Sequence, residues 1–207
     1  ILQRVDYENG GFSDAPKFPQ PMLLELLLKY YKTTKDEGAL NVAVFTLKKM
    51  AEGGIYDQLG GGFHRYSVDN KWLVPHFEKM LYDNALLAKV YIQAYQITKN
   101  DFFKKIALET LDYIIKEMAD PEGGFYSASD ADSEGEEGKF FVWTKTEVEE
   151  ILGKERAEII YRYYDISRLG NFEGDQNILH TPYTIDEIVK QISHIFLINS
   201  CWTNYVL

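Results

Sequence analysis

Ile97-Thr98-Lys99-Asn100-Asp101-Phe102 joins two long helical patterns, Phe77 to Thr98 and Asp101 to Met118, through the pair Lys99-Asn100. A link that short turns the second helix back beside the first, which makes an antiparallel hairpin. The same grammar extends in both directions. Upstream, Met22 to Thr33 follows Pro19 and Pro21 and is apolar almost all round, which predicts a helix buried on most sides. Ala39 to Glu52 forms the next helix and stops at Gly53-Gly54. Pro75 stands near the predicted start of the Phe77 helix, where a missing N–H costs little. Downstream, Asp120-Pro121 ends the Asp101 helix. Phe125 to Ala128 and Lys139 to Trp143 read as short strands facing each other across an acidic loop. Thr144 opens a further helix with Glu147 three residues on, a capping-box pattern. A short helix follows near Lys154 to Tyr164, and a last one runs from Tyr183 to about Ile195 behind Thr181-Pro182.

This is three helix hairpins and the start of a fourth. Between them recurs Gly-Gly-Phe, at Gly10-Gly11-Phe12, Gly61-Gly62-Phe63 and Gly123-Gly124-Phe125. A unit repeated at this spacing signals stacked supersecondary elements, and paired glycines permit tight turns and close backbone approach. Helices that are apolar on more than one face pack in layers. A concentric α/α toroid does this, and an open solenoid of helix pairs is the structural competitor. The fold class expected is all-α, with a small β-hairpin in a long loop.

The bulk composition narrows the function. With 22 basic against 32 acidic residues the net charge is -10, which disfavours nucleic acid and anionic membrane surfaces as partners. No apolar run approaches the length of a membrane helix. Cys201 is the sole cysteine, so there is no intrachain disulfide and no Cys-rich metal site; the composition suits a reducing, cytoplasmic setting. Aromatic residues reach 14%, including 15 Tyr and 12 Phe, and such rings stack on sugar faces as readily as they fill a core. The opening Ile1-Leu2-Gln3-Arg4 is neither a secretory signal nor a Met start, so the sequence is expected to be a piece of something longer.

Polar chemistry concentrates in three stretches. The densest runs from Gly60 through His64-Arg65 and Trp72 to Pro75-His76-Phe77-Glu78-Lys79-Met80-Leu81-Tyr82-Asp83-Asn84. On a helix beginning near Pro75, His76, Lys79 or Met80, and Asp83 would share one face, and Glu78 and Tyr82 another. A loop histidine and a helix-start histidine can supply acid and base near neutral pH; a capping and ion-pair network bracing the loop would use the same groups. The second stretch, Ser127 to Gly138, carries Asp130 and Asp132. It partly matches a calcium loop, but Phe141 stands where the bidentate Glu belongs, so an EF-hand is excluded. Paired carboxylates of this kind serve glycoside chemistry, while Glu136 and Glu137 read as a solvated tip. The third stretch, Gly170 to His180, holds Glu173, Asn177 and His180, for which a turn network is at least as good an account. No cofactor motif and no metal set are recognisable.

Together these stretches resemble the spermatogenesis-associated, thioredoxin-fused family, whose helical portion is a six-hairpin glycosidase-like toroid. The matching pieces are Gly10-Gly11-Phe12 with Ala15-Pro16-Lys17-Phe18-Pro19, the run from Gly61 to Asn84, Ser127 to Asp132, Phe140 to Trp143, and Asn171-Phe172-Glu173-Gly174 with Asn177-Ile178-Leu179. The resemblance covers residues 7 to 190 and implies a partial (α/α)6 toroid over 1–207. It lacks the family's thioredoxin-like domain, and 196–207 form an atypical tail. The toroid is similar to that of N-acylglucosamine 2-epimerases, which use histidines as acid and base, and of glycosidases, which use carboxylates. The resemblance therefore implies a carbohydrate-like small-molecule partner and an epimerase-, isomerase- or glycosidase-like activity in the full-length parent, absent from the isolated piece. His64, His76, Asp83, Asp130 and Asp132 become the candidate catalytic groups. Arg65, Trp72, Glu78, Lys79, Tyr82 and Asn84 become the candidate ligand-binding groups, with Trp72 as a stacking platform. The alternative is a non-catalytic helical scaffold in which the same groups only brace loops.

A ring represented in part leaves apolar helix faces without neighbours, and such surface drives association. The chain by itself is therefore expected to self-associate or to be marginally stable. Sedimentation is the test: a monodisperse monomer with a cooperative, high-temperature melt counts against the partial ring.

Overall fold

Short polar links set the helix ends. In the computed structural model, which describes residues 2–192, α1 (Pro21–Thr34) carries its proline in the first turn, where no hydrogen bond is lost. Lys35 turns left-handed and returns its N–H to the Tyr31 carbonyl, and Asp36 caps α2 (Glu37–Glu52) by accepting from the N–H groups of Gly38 and Ala39. The second hairpin repeats the device. Lys99 is left-handed at the end of α3 (Leu81–Thr98), and the Asn100 side chain caps α4 (Asp101–Tyr113) by accepting from the Phe102 N–H. From α4 the chain continues through one wider helical turn, Ile114–Met118.

The chain forms two compact units, Ile1–Val142 and Trp143–Leu207. The first holds both of these hairpins around one core, in which Leu24 and Leu28 of α1, Leu47 of α2 and Leu87 of α3 meet Phe63 and Trp72 from the long loop. Phe63 stacks on Tyr91 at 5.4 Å, and the Tyr91 hydroxyl donates to the Leu47 carbonyl at 2.6 Å. The second unit holds the third hairpin, α5 (Lys145–Leu152) and α6 (Lys154–Tyr163), packed on Val148, Ala157 and Tyr161. Its capping box at Thr144 and Glu147 forms as the sequence predicts. The chain is helical again over 185–192, behind a mutual cap between Thr184 and Glu187. The remainder of that predicted helix and the tail 196–207 lie outside the described residues. No described helix is long and apolar enough to cross a membrane.

Three expectations need correction. First, α1 buries one side only: Leu24, Leu27 and Leu28 are enclosed by α2 and α3, whereas Met22, Leu26 and Tyr30, one turn apart, are 72%, 51% and 50% exposed. Second, α3 begins at Leu81, not Phe77. Pro75–His76 (β2) pairs antiparallel with Tyr66–Ser67 (β1), and Lys79–Met80 (β3) pairs with Ala128–Ser129 (β4). The Arg65 N–H donates to the Glu78 carbonyl and the Val68 N–H to that of Val74, so this run has sheet-like partners from outside itself. His76, Lys79 and Asp83 consequently do not share a helical face. Third, the two strands flanking the acidic loop do not face each other. β4 pairs with β3, while Val142–Thr144 (β7) pairs with Gln176–Ile178 (β8). The acidic tip closes on itself as Asp132–Ser133 (β5) against Glu136–Glu137 (β6), through Glu134 and Gly135, both at positive φ.

Two of the three Gly-Gly-Phe copies are built alike. In the first, the Asp6 side chain accepts from the N–H groups of Glu8 and Asn9, and the Gly10 N–H returns to the Asp6 carbonyl. In the second, Asp57 does the same for Leu59 and Gly60, and the Gly61 N–H returns to the Asp57 carbonyl. Each loop encloses a lysine ammonium. Lys17 Nζ donates to Asp6 Oδ2 at 2.6 Å and to the carbonyls of Gly10 and Asn70 at 2.8 Å. Lys79 Nζ donates to Asp57 Oδ2 at 2.7 Å and to the Gly61 carbonyl at 2.9 Å. A ring lies against the second glycine in both: a Cβ on Gly11 would stand 2.8 Å from Trp72, and one on Gly62 2.5 Å from Tyr113. The third copy departs from this. Asp120 is one residue nearer its glycines, nothing lies within 4 Å of a Cβ on Gly123 or Gly124, and Phe125 is 55% exposed, where Phe12 and Phe63 are buried.

Burial pushes the Asp6 carboxyl up, but the Lys17 and backbone hydrogen bonds outweigh it and hold it at about 2. Asp6→Asn and Lys17→Met should each lower the unfolding free energy by about 2–4 kcal/mol, with less than additive loss in the double variant. The wild-type contribution of Asp6 is full above the ordinary carboxylate range and fades as pH falls towards about 2. Urea denaturation across that range measures both.

Candidate functional site

The antiparallel pair β1–β2 sets Tyr66 opposite His76, and their rings stack at 5.0 Å. Phe18, 43% exposed, continues the ledge with its ring 4.8 Å from that of Tyr66. Beside it, Arg65 Nη1 pairs with Glu78 Oε2 at 2.7 Å. His76 Nδ1 meets Glu137 Oε1 at 2.7 Å, and its Nε2 lies 3.9 Å from Glu78. All four of these charged side chains are partly exposed. Asp83, in the first turn of α3, completes the group. A helix N-terminus favours the carboxylate, but burial prevails and pushes Asp83 up to about 6, against the pull of Arg65 and Tyr82, with Glu78 adding to the rise. Asp83 therefore exchanges its proton close to neutrality, buried within reach of Arg65, Tyr82 and Glu78.

A second polar group lies deeper. Burial pushes the Lys79 ammonium down, and Asp57 partly restores it. Burial likewise raises Asp57, but Lys79 outweighs that and leaves it below the usual carboxylate range. Lys79 Nζ sits 4.3 Å from the Tyr113 ring centre and 4.9 Å from that of Phe141. On the far side opens a recess of about 340 Å³ lined by these residues together with Glu117, Ser129, Asp130, Asp132 and Phe140. The Tyr113 hydroxyl is buried and makes no hydrogen bond of good geometry; burial pushes its phenol up to about 12, against a weak pull from the neighbouring Ser129.

The residues singled out in the sequence thus separate. Arg65, His76, Glu78 and Tyr82 come together on the open face with the buried Asp83 beside Arg65 and Glu78, and Lys79, Asp130 and Asp132 line the recess. Three others serve inside the protein, contrary to the roles expected of them. His64 is buried against Phe77 and Phe141, donates from Nδ1 to the Phe77 carbonyl at 2.9 Å, and is held neutral, at about 3, by burial and the Lys79 charge. Trp72 is fully buried and donates from Nε1 to the Asn9 carbonyl, so it offers no surface for stacking. Asn84 is spent on the backbone, accepting from the Phe63 N–H and donating to the carbonyls of Phe63 and Met80.

In the second unit, Asn177 braces a turn by donating to the carbonyls of Trp143, Ser167 and Asp175, and His180 pairs with Asp165 at 3.3 Å. That is a turn network, the plainer of the two accounts. Sequence reasoning missed Asp57, Tyr113 and Glu137. For Asp57 a signal existed: an aspartate stands four residues before the first glycine in both buried copies, at Asp6 and Asp57. Nothing local marks Tyr113 or Glu137.

No protein-family model matches the chain. Spermatogenesis-associated protein 20 of Mus musculus is 42% identical to it over 209 aligned positions, covering 87% of this chain and 26% of that protein. The Homo sapiens protein of the same name is also 42% identical, covering 87% and 27%. The chain thus spans about a quarter of the length of these relatives. Among solved structures, cellobiose 2-epimerase from Spirochaeta thermophila superposes with a TM-score of 0.57 at 20% identity, covering 62% of this chain and 35% of that one. Cellobiose 2-epimerase from Bacillus thermoamylovorans gives 0.57 at 16% identity, covering 80% and 52%. At such identities the likeness is one of fold, and the fold is the α/α toroid of the epimerases and six-hairpin glycosidases.

Because its carboxyl is raised, Asp83 favours the fold when protonated and opposes it once pH passes through about 6. Asp83→Asn should therefore raise the melting temperature at neutral pH, by the equivalent of roughly 1–3 kcal/mol. The gain should vanish in acid, below the carboxylate range of the unfolded chain. A loss of stability at neutral pH would show that the carboxylate is a brace.

Proposed function

Over the stretch they share, this chain belongs to the family of spermatogenesis-associated protein 20, and from that premise we propose that its first unit holds a carbohydrate-type ligand on the open face around Tyr66, His76 and Asp83. The observation that carries this reading is the juxtaposition of a ring stack, Phe18–Tyr66–His76, exposed at Phe18 and half-buried at Tyr66 and His76, with groups able to give and take a proton. A sugar lying on the ledge turns its hydroxyls towards Arg65, Glu78 and Tyr82. With Nδ1–H donated to Glu137, Nε2 of His76 is the nitrogen left to accept a proton. Asp83, titrating near neutrality, supplies one. Base and acid of this kind suit proton transfer at a sugar carbon or oxygen. The toroid shared with the cellobiose 2-epimerases supports a sugar as the substrate class.

A second reading, a non-catalytic helical scaffold, draws on His64, Trp72 and Asn84, whose polar atoms are spent on the backbone. Ligand-detected NMR with cellobiose and glucose separates the two. Saturation transfer should reach the sugar in the wild type and fall at least about tenfold in Tyr66→Ala and His76→Ala, with the melting temperature kept within a few degrees. An absence of sugar contact in the wild type, or contact indifferent to both substitutions, leaves the scaffold.

A further inference from the structure

The two buried-lysine loops are the same device put to different ends. Around Lys17 every polar valence is used: three oxygens take its protons, and the ring lying on its loop, Trp72, donates its own N–H to the Asn9 carbonyl. Around Lys79 the device is left unfinished. Two oxygens take its protons, and the ring on its loop, Tyr113, keeps a buried hydroxyl with no partner. The closed loop demonstrates that the fold does not require this. An unpartnered buried hydroxyl is a cost that a second copy of the same structure avoids.

The unfinished loop faces the recess of about 340 Å³, and the charge there is one-sided. Asp57 neutralises Lys79. That leaves Glu117, Asp130 and Asp132, for which no cationic side chain lies in ion-pair range among the described residues. Phe140, 73% exposed, stands at the rim with its ring edge-on to Phe141, a surface that also favours a cation. We infer that this recess, separate from the open face, is a binding site for a small hydroxylated primary amine of the amino-sugar type, its ammonium among Asp130, Asp132 and Glu117 and an oxygen taking the proton of the Tyr113 hydroxyl. A carboxylate or phosphate would meet three uncompensated negative charges.

Calorimetric titration of the whole chain with glucosamine, N-acetylglucosamine and glucose tests this, at a pH where the amine is protonated. Glucosamine should bind at least about tenfold more tightly than either neutral sugar, and the preference should disappear in the Asp130→Asn/Asp132→Asn double variant. Tyr113→Phe should weaken glucosamine by a similar factor without lowering the melting temperature, because no internal hydrogen bond is lost. Equal affinity for glucosamine and glucose, a preference that survives the double variant, or a destabilised Tyr113→Phe would each overturn the assignment.

Discussion

A lysine ammonium enclosed in a glycine loop is the constraint around which the first unit is arranged. Taking such a charge out of water costs several kcal/mol unless a carboxylate and further acceptors meet it in good geometry. That requirement dictates the loop. The aspartate must stand four residues before the glycine whose carbonyl turns inward, and both paired glycines lie at positive φ, at Gly10 and Gly11 and again at Gly61 and Gly62. The second glycine must also lack a side chain so that a ring can lie on the loop. The consequence reaches further along the chain. Lys79 fills its loop from a strand, so residues 75–80 are held extended between β1 and β4, and α3 starts only at Leu81.

That extended run gives the unit two polar faces. Along it, Lys79 is turned inward to its loop, while His76 stacks on Tyr66 and Glu78 pairs with Arg65 on the more open side. Side chains alternate across an extended segment, which a helix would not have allowed at these spacings. Behind this wall His64, neutral and pinned to Phe77, and Asn84, bonded to Phe63, keep the two faces fixed relative to the core. The buried residues of that dense stretch are thus tied to the backbone, and the partly exposed ones around them are tied to one another in ion pairs.

The three glycine copies show how one motif diverges physically. Around Lys17 it is a closed brace; around Lys79 it borders an open recess; around Asp120, with one residue fewer and no lysine, it is an ordinary solvent-facing turn. Likeness in fold to the 2-epimerases says nothing about which of these surfaces acts, and the chemistry has to be read from the residues themselves.

The sequence by itself determined what depends on neighbours along the chain. Lys99-Asn100 marked a hairpin, Thr144 with Glu147 marked a helix start, and the glycine pairs marked the long loops, because capping and turn chemistry act over a few residues. The density of polar groups from Gly60 to Asn84 marked where to look. Only the tertiary structure decided how those groups were divided. The spacing of His76, Lys79 and Asp83 suits a helix equally well, and what overrules it is pairing with Tyr66 and with Ala128–Ser129, the latter nearly 50 residues away in the chain. Trp72 reads as a stacking platform until the Asn9 carbonyl is seen to hold it inside, and nothing in the local sequence singles out Tyr113, whose buried hydroxyl lacks a well-placed partner. Burial and hydrogen-bond satisfaction belong to the partner as much as to the residue, and distant partners leave no trace in local sequence.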